Sequence, residues 1–86
     1  MGTLHIVNRV AALAPCLDTA ATADAILLIE DGVYAATQDQ PRECFAIDMD
    51  IQARGIASRI TAETSVINYA DFVELTVKHN PIVTWC

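Results

Sequence analysis

The stretch AILLIEDG, residues 25–32, indicates the fold of this chain more clearly than any other. It is an almost continuous apolar run of strand length that ends at Asp31-Gly32, an ordinary turn pair. Apolar runs without alternation are typical of strands that are covered on both faces, as in parallel sheets. The stretch therefore predicts a buried strand of a parallel sheet.

Four further runs have the length and composition of strands: TLHIVN (3–8), CFAID (44–48), TSVINY (64–69) and IVTW (82–85). Helical segments are predicted between them, at 15–23, 33–38, 50–58 and 69–79. Alternating strands and helices are typical of an α/β fold. We expect one domain over residues 1–86, with a small, open, mainly parallel sheet of about five strands and helices on both faces.

The segment 69–79 has the clearest helical pattern. Asn68 and Asp71 resemble a capping pair, and Pro81 follows as a stop signal. The spacing predicts a core face made of Tyr69, Phe72, Val73 and Val77. Leu75 lies off that face, so it is a candidate interface residue or a singly exposed leucine.

Composition indicates a subunit that needs partners. Hydrophobic residues make up 53% of the 86-residue chain, and the mean hydropathy is +0.35, so apolar residues must lie on the surface. The net charge of −6, with five Lys and Arg residues, argues against direct nucleic-acid binding. No apolar run approaches the roughly 20 residues of a membrane span, and no signal peptide is recognisable, so we expect a cytoplasmic protein without membrane contact.

The three cysteines, Cys16, Cys44 and Cys86, form no metal-ligand spacing, and their odd number favours reduced thiols. Pro15 suits the first position of a helix, which would place Cys16 where the helix dipole stabilises a thiolate. Cys16 is thus either a reactive thiol or a small buried residue. Cys44 is expected to fill the core, and Cys86 to be exposed.

Acidic residues follow two of the predicted strands: Glu30, Asp31, Asp48 and Asp50. Carboxylates at this edge of a parallel sheet could bind Mg²⁺, as in a receiver-type regulatory domain. Against a metal, Asp31 belongs to a turn and Asp50 is a plausible helix N-cap.

His5 is expected to be a core histidine whose ring nitrogens have hydrogen-bond partners. Motifs for nucleotide binding, hydrolysis or zinc are missing from the sequence, so no cofactor or metal is predicted.

Four blocks of the sequence resemble the DsrH/TusB family of sulfur-relay proteins. They are LHIVN (4–8), CLDTAATADAILLIEDGVYAA (16–36), ARG (53–55) and VINYADFVELTVKH (66–79) with Trp85. The most specific parts are LLIEDGVYAA and YADFVELT, in which both the residues and their spacing agree. The resemblance covers nearly the whole chain.

The resemblance implies a DsrE-like fold and a heterohexamer with DsrE/TusD-like and DsrF/TusC-like subunits. Such a complex carries sulfur as a cysteine persulfide, for 2-thiolation of the tRNA wobble uridine or for dissimilatory sulfur oxidation. It passes the sulfur to a DsrC/TusE-like acceptor.

In this family the main persulfide cysteine belongs to the DsrE/TusD-like partner, which implies a non-catalytic or accessory subunit here. Some members have a cysteine at the position of Cys16 and others an apolar residue, so the resemblance makes Cys16 a candidate accessory persulfide carrier. The alternative is a purely structural assembly subunit without thiol chemistry of its own.

Overall fold

All five predicted strands are present and form one sheet in the computed structural model, which describes residues 2–86. The strands are β1 (Leu4–Val7), β2 (Ala25–Leu28), β3 (Cys44–Ile47), β4 (Thr64–Ile67) and β5 (Ile82–Trp85). Their order across the sheet is β4-β3-β2-β1-β5, and every neighbouring pair is parallel. The predicted α/β class and mainly parallel sheet are confirmed.

The helical segments differ from the predictions in their bounds, and the one predicted at 33–38 is a longer 3₁₀ segment rather than an α-helix. The α-helices are α1 (Leu13–Thr19), α2 (Asp48–Ala53) and α3 (Tyr69–Lys78), and the 3₁₀ segments are Val10–Ala12, Glu30–Thr37 and Ala57–Arg59. None of the helices within residues 2–86 has the length and apolar character that a membrane crossing requires.

The strand order explains which helices lie on which face. Each connection from β1 to β4 moves one strand in the same direction, whereas the connection from β4 to β5 returns across the whole sheet. Because crossovers between parallel strands are right-handed, a return in the opposite direction places its helix on the opposite face. The single helix α3 therefore covers one face, and the remaining helical segments cover the other.

The buried side chains confirm this division into two layers of core. The larger cluster joins Val7, Ile26 and Leu28 on the sheet to residues of α1, α2 and the segment Glu30–Thr37. The smaller cluster joins Leu4, Leu27 and Ile67 to Phe72 and Leu75 of α3. Alternate residues of β1 and β2 enter different clusters, as the period of two along a strand requires. Because β2 is buried on both faces, its residues are apolar without alternation.

The predicted core face of α3 is wrong in part. Phe72 packs against the sheet as expected, but so does Leu75, which was expected off the core face. Tyr69, Val73 and Val77 are exposed instead, to 64, 42 and 74%. At about 100° per residue, this row is centred about 130° around the helix axis from Phe72 and Leu75, so it faces away when those two residues face the sheet. The row i, i+3 beginning at Phe72 faces the sheet.

The capping prediction for α3 is confirmed. The Asp71 backbone N–H donates to Asn68 Oδ1 at 2.8 Å, and the Asn68 backbone N–H donates to Asp71 Oδ2 at 3.3 Å. This reciprocal pair satisfies two backbone donors and fixes where the helix begins.

Candidate functional site

Cys16 lies on the inner face of α1 and is completely buried, with 0% exposure. The helix begins at Leu13, so Pro15 is its third residue rather than its first, and Cys16 belongs to the end of the first turn. Its neighbours in the larger core cluster include Leu13, Val7 and Ile26. The expected helix start is therefore displaced, and the thiol points into the core.

Burial raises the pKa of the Cys16 thiol from 9.0 to about 11, with smaller upward contributions from Cys44 and Asp24. Arg42 acts in the opposite direction but does not compensate. At that pKa roughly one molecule in ten thousand carries a thiolate at neutral pH, and the thiolate is the nucleophilic form. In this conformation Cys16 has the properties of a core residue.

The other two cysteines lie where they were expected. Cys44 is buried at the start of β3, and its Sγ donates to the carbonyl oxygen of Arg42 at 3.7 Å. Burial raises the pKa of the Cys44 thiol as well. Cys86 is exposed. All three thiols are free, and the only solvent-exposed one is the thiol beside the end of β5.

Two of the acidic residues that follow β2 and β3, Asp31 and Asp50, are held by protein groups. Arg54 Nε lies 3.0 Å from Asp31 Oδ1, and its Nη1 lies 3.8 Å from Asp50 Oδ1. Asp50 Oδ2 also accepts the backbone N–H of Glu30 at 2.7 Å. Within residues 2–86 no group of three or more His, Cys, Asp or Glu side chains converges as a metal site.

Asp50 is not the helix N-cap that was expected. The helix α2 begins two residues earlier, at Asp48, directly after β3. Asp50 therefore lies within the first turn, and its carboxylate links two consecutive loops at the carboxyl edge of the sheet. The role of this carboxylate is structural.

A partly buried polar triad, not predicted from the sequence, lies on the face of the sheet that α1 covers. His5, exposed to only 4%, places its Nε2 2.8 Å from Asp24 Oδ2. The Trp85 indole Nε1–H donates to His5 Nδ1 at 3.0 Å. We call His5, Asp24 and Trp85 the histidine triad. Its members are up to 80 residues apart along the chain, so no local sequence pattern indicates the contact.

Asp24 is the anchor of this triad. Besides His5, its carboxylate accepts the backbone N–H groups of Thr3 at 2.8 Å and Ala21 at 2.9 Å. The hydrogen bond from His5 and then those from Ala21 and Thr3 lower the pKa of Asp24 from 3.8 to about 2. Arg42 donates to the backbone carbonyls of Ala21 and Asp24. These contacts join β1 to the turns that precede β2 and β3.

Gly32, in the most specific sequence block, has a structural explanation. It is buried where the segment Glu30–Thr37 crosses the end of β1, and a Cβ there would overlap the carbonyl oxygen of Val7. Close approach of two backbones requires a residue without a side chain. The glycine therefore sets the packing of this segment on the sheet.

Apolar side chains remain uncovered on α3 and on the edge strand β5. The exposed residues include Tyr69, Val73 and Val77 of the helix, and Ile82 and Val83 of the strand, which are 46 and 37% exposed. Contiguous exposed apolar surface is typical of a protein that binds partners.

The chain is similar to known proteins over nearly its whole length. Residues 8–82 match the family described as "DsrH like protein". Protein TusB of Escherichia coli O1:K1 / APEC is 35% identical over an alignment of 92 positions, which covers 96% of this chain and 97% of that protein. Protein TusB of Enterobacter sp. (strain 638) is 38% identical over 71 positions, covering 72% and 75%.

Proposed function

The chain belongs to the DsrH/TusB family, and we propose from that membership that it is a subunit of a cytoplasmic sulfur-relay complex. The complex would hold sulfur as a cysteine persulfide and pass it to a DsrC/TusE-like acceptor. The sulfur would serve either 2-thiolation of the tRNA wobble uridine or dissimilatory sulfur oxidation.

In this proposal the main persulfide cysteine belongs to a DsrE/TusD-like partner, and the present chain is an assembly subunit. The observation that supports an assembly role for this chain is the burial of Cys16. Burial leaves the thiol protonated and out of reach of a persulfide donor. Persulfide transfer requires a thiolate that attacks the outer sulfur of the donor persulfide, while the donor cysteine leaves as a thiolate. Both thiols must be accessible to each other.

An accessory carrier role for Cys16 is the second candidate, and it rests on the cysteine found at this position in some family members. It would require α1 to move away from the sheet, or partner subunits to reshape the first turn. Leu17, partly buried beside it, belongs to the same core contact. The carrier role therefore predicts that the thiol becomes reactive only in the assembled complex.

The partners proposed are DsrE/TusD-like and DsrF/TusC-like subunits, with two copies of each of the three chains. Support comes from the uncovered apolar side chains of α3 and β5, which leave the isolated chain with unburied hydrophobic surface. Direct contact with tRNA is not part of the proposal, because a net charge of −6 disfavours binding to phosphates.

The proposal is tested with the complex purified after co-expression of this chain with both partner subunits. The complex is loaded with a persulfide donor, and peptides are mapped for an added mass of about 32 Da, the mass of one sulfur atom. We expect the added sulfur on a partner cysteine and none on Cys16. Sulfur on Cys16 would establish the carrier role instead, and no persulfide on any subunit would contradict a sulfur relay.

Alkylation provides a matched comparison within this chain. Iodoacetamide applied to the isolated native chain should label Cys86, which is exposed there, and in both the isolated chain and the native complex it should leave Cys16 and Cys44 unlabelled until urea is added. Labelling of Cys16 at a rate similar to that of Cys86 would contradict the assembly role, because it would require an accessible thiolate.

A further inference from the structure

The histidine triad has a hydrogen-bond arrangement that determines the state of the ring. The Trp85 indole nitrogen is only a donor, so His5 Nδ1 must be the acceptor of this hydrogen bond. The distance between Trp85 Nε1 and His5 Nδ1 is 3.0 Å. The other ring nitrogen, Nε2, then carries the hydrogen and donates it to the Asp24 carboxylate at 2.8 Å. The arrangement is complete only with a neutral imidazole protonated at Nε2.

From this geometry we infer that the protonation state of His5 controls how firmly β5 is attached to the sheet. Protonation of His5 at Nδ1 breaks the hydrogen bond from the Trp85 indole N–H and loosens this edge strand. An imidazolium has a donor at both nitrogens, so two N–H groups would face each other where one hydrogen bond now exists. The contact of Nε2 with Asp24 survives, because a carboxylate accepts equally from the charged ring.

Few other titratable side chains lie near His5. The neighbouring strands β2 and β5 contribute no titratable side chains, and α1 contributes Asp18, which is exposed, and the buried Cys16. The turns contribute Asp24 and Arg42. Asp24 remains ionised because its pKa is about 2, and Cys16 remains protonated because its pKa is about 11.

The fold explains why β5 is sensitive to the loss of one hydrogen bond. It pairs only with β1, and its first three residues are exposed, so little apolar burial holds it. Trp85 is its one side chain packed against the larger core cluster. Strands held by few buried contacts open at low free-energy cost. Release of the indole thus weakens the one side-chain attachment of the strand to the larger core cluster and leaves its backbone pairing with β1 as the remaining hold.

The inference is tested by NMR on the ¹⁵N-labelled full chain between about pH 8 and about pH 5, the range in which histidines titrate. At high pH we expect a pyridine-type nitrogen at His5 Nδ1 and a pyrrole-type nitrogen at Nε2. On acidification the Trp85 indole N–H resonance should shift with the same midpoint as the His5 ring. Amide exchange of Val83 and Trp85, corrected for intrinsic rates, should accelerate about tenfold relative to β2, as expected for one lost hydrogen bond.

Two variants provide the controls. His79→Gln removes the only other histidine, which lies at the end of α3, and should leave the response of Trp85 unchanged. His5→Gln should make the Trp85 indole resonance independent of pH in this range. If His5→Gln does not fold, the test rests on the His79→Gln protein, in which the His5 ring and the Trp85 indole resonance are followed together as the pH is lowered. A ring protonated at Nδ1 at high pH would overturn the inference, and so would an indole resonance that stays constant while His5 titrates.

Discussion

At the scale of single residues, Glu30 has a backbone conformation that its side chain disfavours. Its φ is +49°, in the left-handed region, and its N–H is held there by Asp50 Oδ2. A left-handed conformation costs a residue with a Cβ roughly 1–2 kcal/mol. Glu30 lies in the block LLIEDGVYAA, just after β2 ends. The chain therefore keeps a strained residue where β2 leads into the segment Glu30–Thr37.

Glu30→Gly should therefore raise the free energy of unfolding by about 1 kcal/mol, because glycine adopts positive φ without penalty. Urea unfolding followed by Trp85 fluorescence measures the change. Gln38→Gly is the matched control: Gln38 has φ of −125°, so glycine there relieves no strain and should lower stability. Equal effects of the two substitutions would mean that Glu30 is not strained.

The buried thiols predict a loss of stability in alkali. The pKa of Cys16 is about 11 in the folded chain against 9.0 ordinarily, so between these values the unfolded chain releases a proton that the folded chain retains. Stability due to burial of the neutral thiol is thus present below about pH 9 and is lost as pH rises toward about 11.

Unfolding in urea at a series of alkaline pH values checks this prediction. The wild type should lose stability more steeply above about pH 9 than Cys16→Ala, while Cys86→Ala should follow the wild type because Cys86 is exposed. Identical slopes for the wild type and Cys16→Ala would show that the thiol is not shielded from solvent.

At the scale of elements, α3 shows how the same sequence pattern permits two orientations of a helix. Tyr69, Val73 and Val77 form one apolar row, and Phe72 with Leu75 forms another, centred about 130° away around the helix axis. Only the second row packs against β1, β2 and β4. An apolar row on the exposed side is unnecessary for folding, which is consistent with a proposed role in assembly.

Substitutions on the two rows should have different effects on stability. Phe72→Ala should lower the free energy of unfolding by about 2 kcal/mol or more, because it removes a ring packed on the sheet. Val77→Ala, at a side chain 74% exposed, should change it by less than about 0.5 kcal/mol. Chemical denaturation of the isolated chain measures both changes. A larger loss of unfolding free energy for Val77→Ala than for Phe72→Ala would mean that the helix buries the face predicted from the sequence.

At the scale of the whole molecule, Asp24 connects segments that are distant in sequence. Its carboxylate receives bonds from residue 3 before β1, from His5 within β1 and from Ala21 after α1. Through His5 it is also linked to the last strand. A single carboxylate at the amino edge of the sheet thus ties together the beginning, the middle and the end of the chain.

Acid should weaken this connection. The folded pKa of Asp24 is about 2 against an ordinary 3.8, so the unfolded chain takes up the proton first. The stability due to Asp24 is present above about pH 4 and is lost as pH falls toward about 2. Asp24→Asn should be less stable at neutral pH and should depend less on acid, whereas Asp39→Asn, at an exposed site, should follow the wild type.

The control of this prediction is the comparison of slopes in acid unfolding curves measured by circular dichroism. If Asp24→Asn and the wild type lose stability in parallel between about pH 4 and about pH 2, the carboxylate is not the group responsible.

The sequence by itself determined the strands, their parallel arrangement and the capping of α3, because these depend on local signals: unbroken apolar runs, turn residues and the Asn68 and Asp71 pair. It also determined the family, through blocks whose spacing is fixed. The exact start of α1 was not determined, because Pro15 is tolerated anywhere in a first turn.

Only the tertiary structure decided which face of α3 is buried, whether Cys16 meets solvent, and that His5 contacts Asp24 and Trp85. The helix faces depend on how α3 crosses the sheet, which a periodicity of 3.6 residues does not specify. The thiol's protonation depends on burial by segments distant in sequence. The histidine triad joins residues 80 positions apart, and such a contact exists only after the sheet has placed the last strand beside the first.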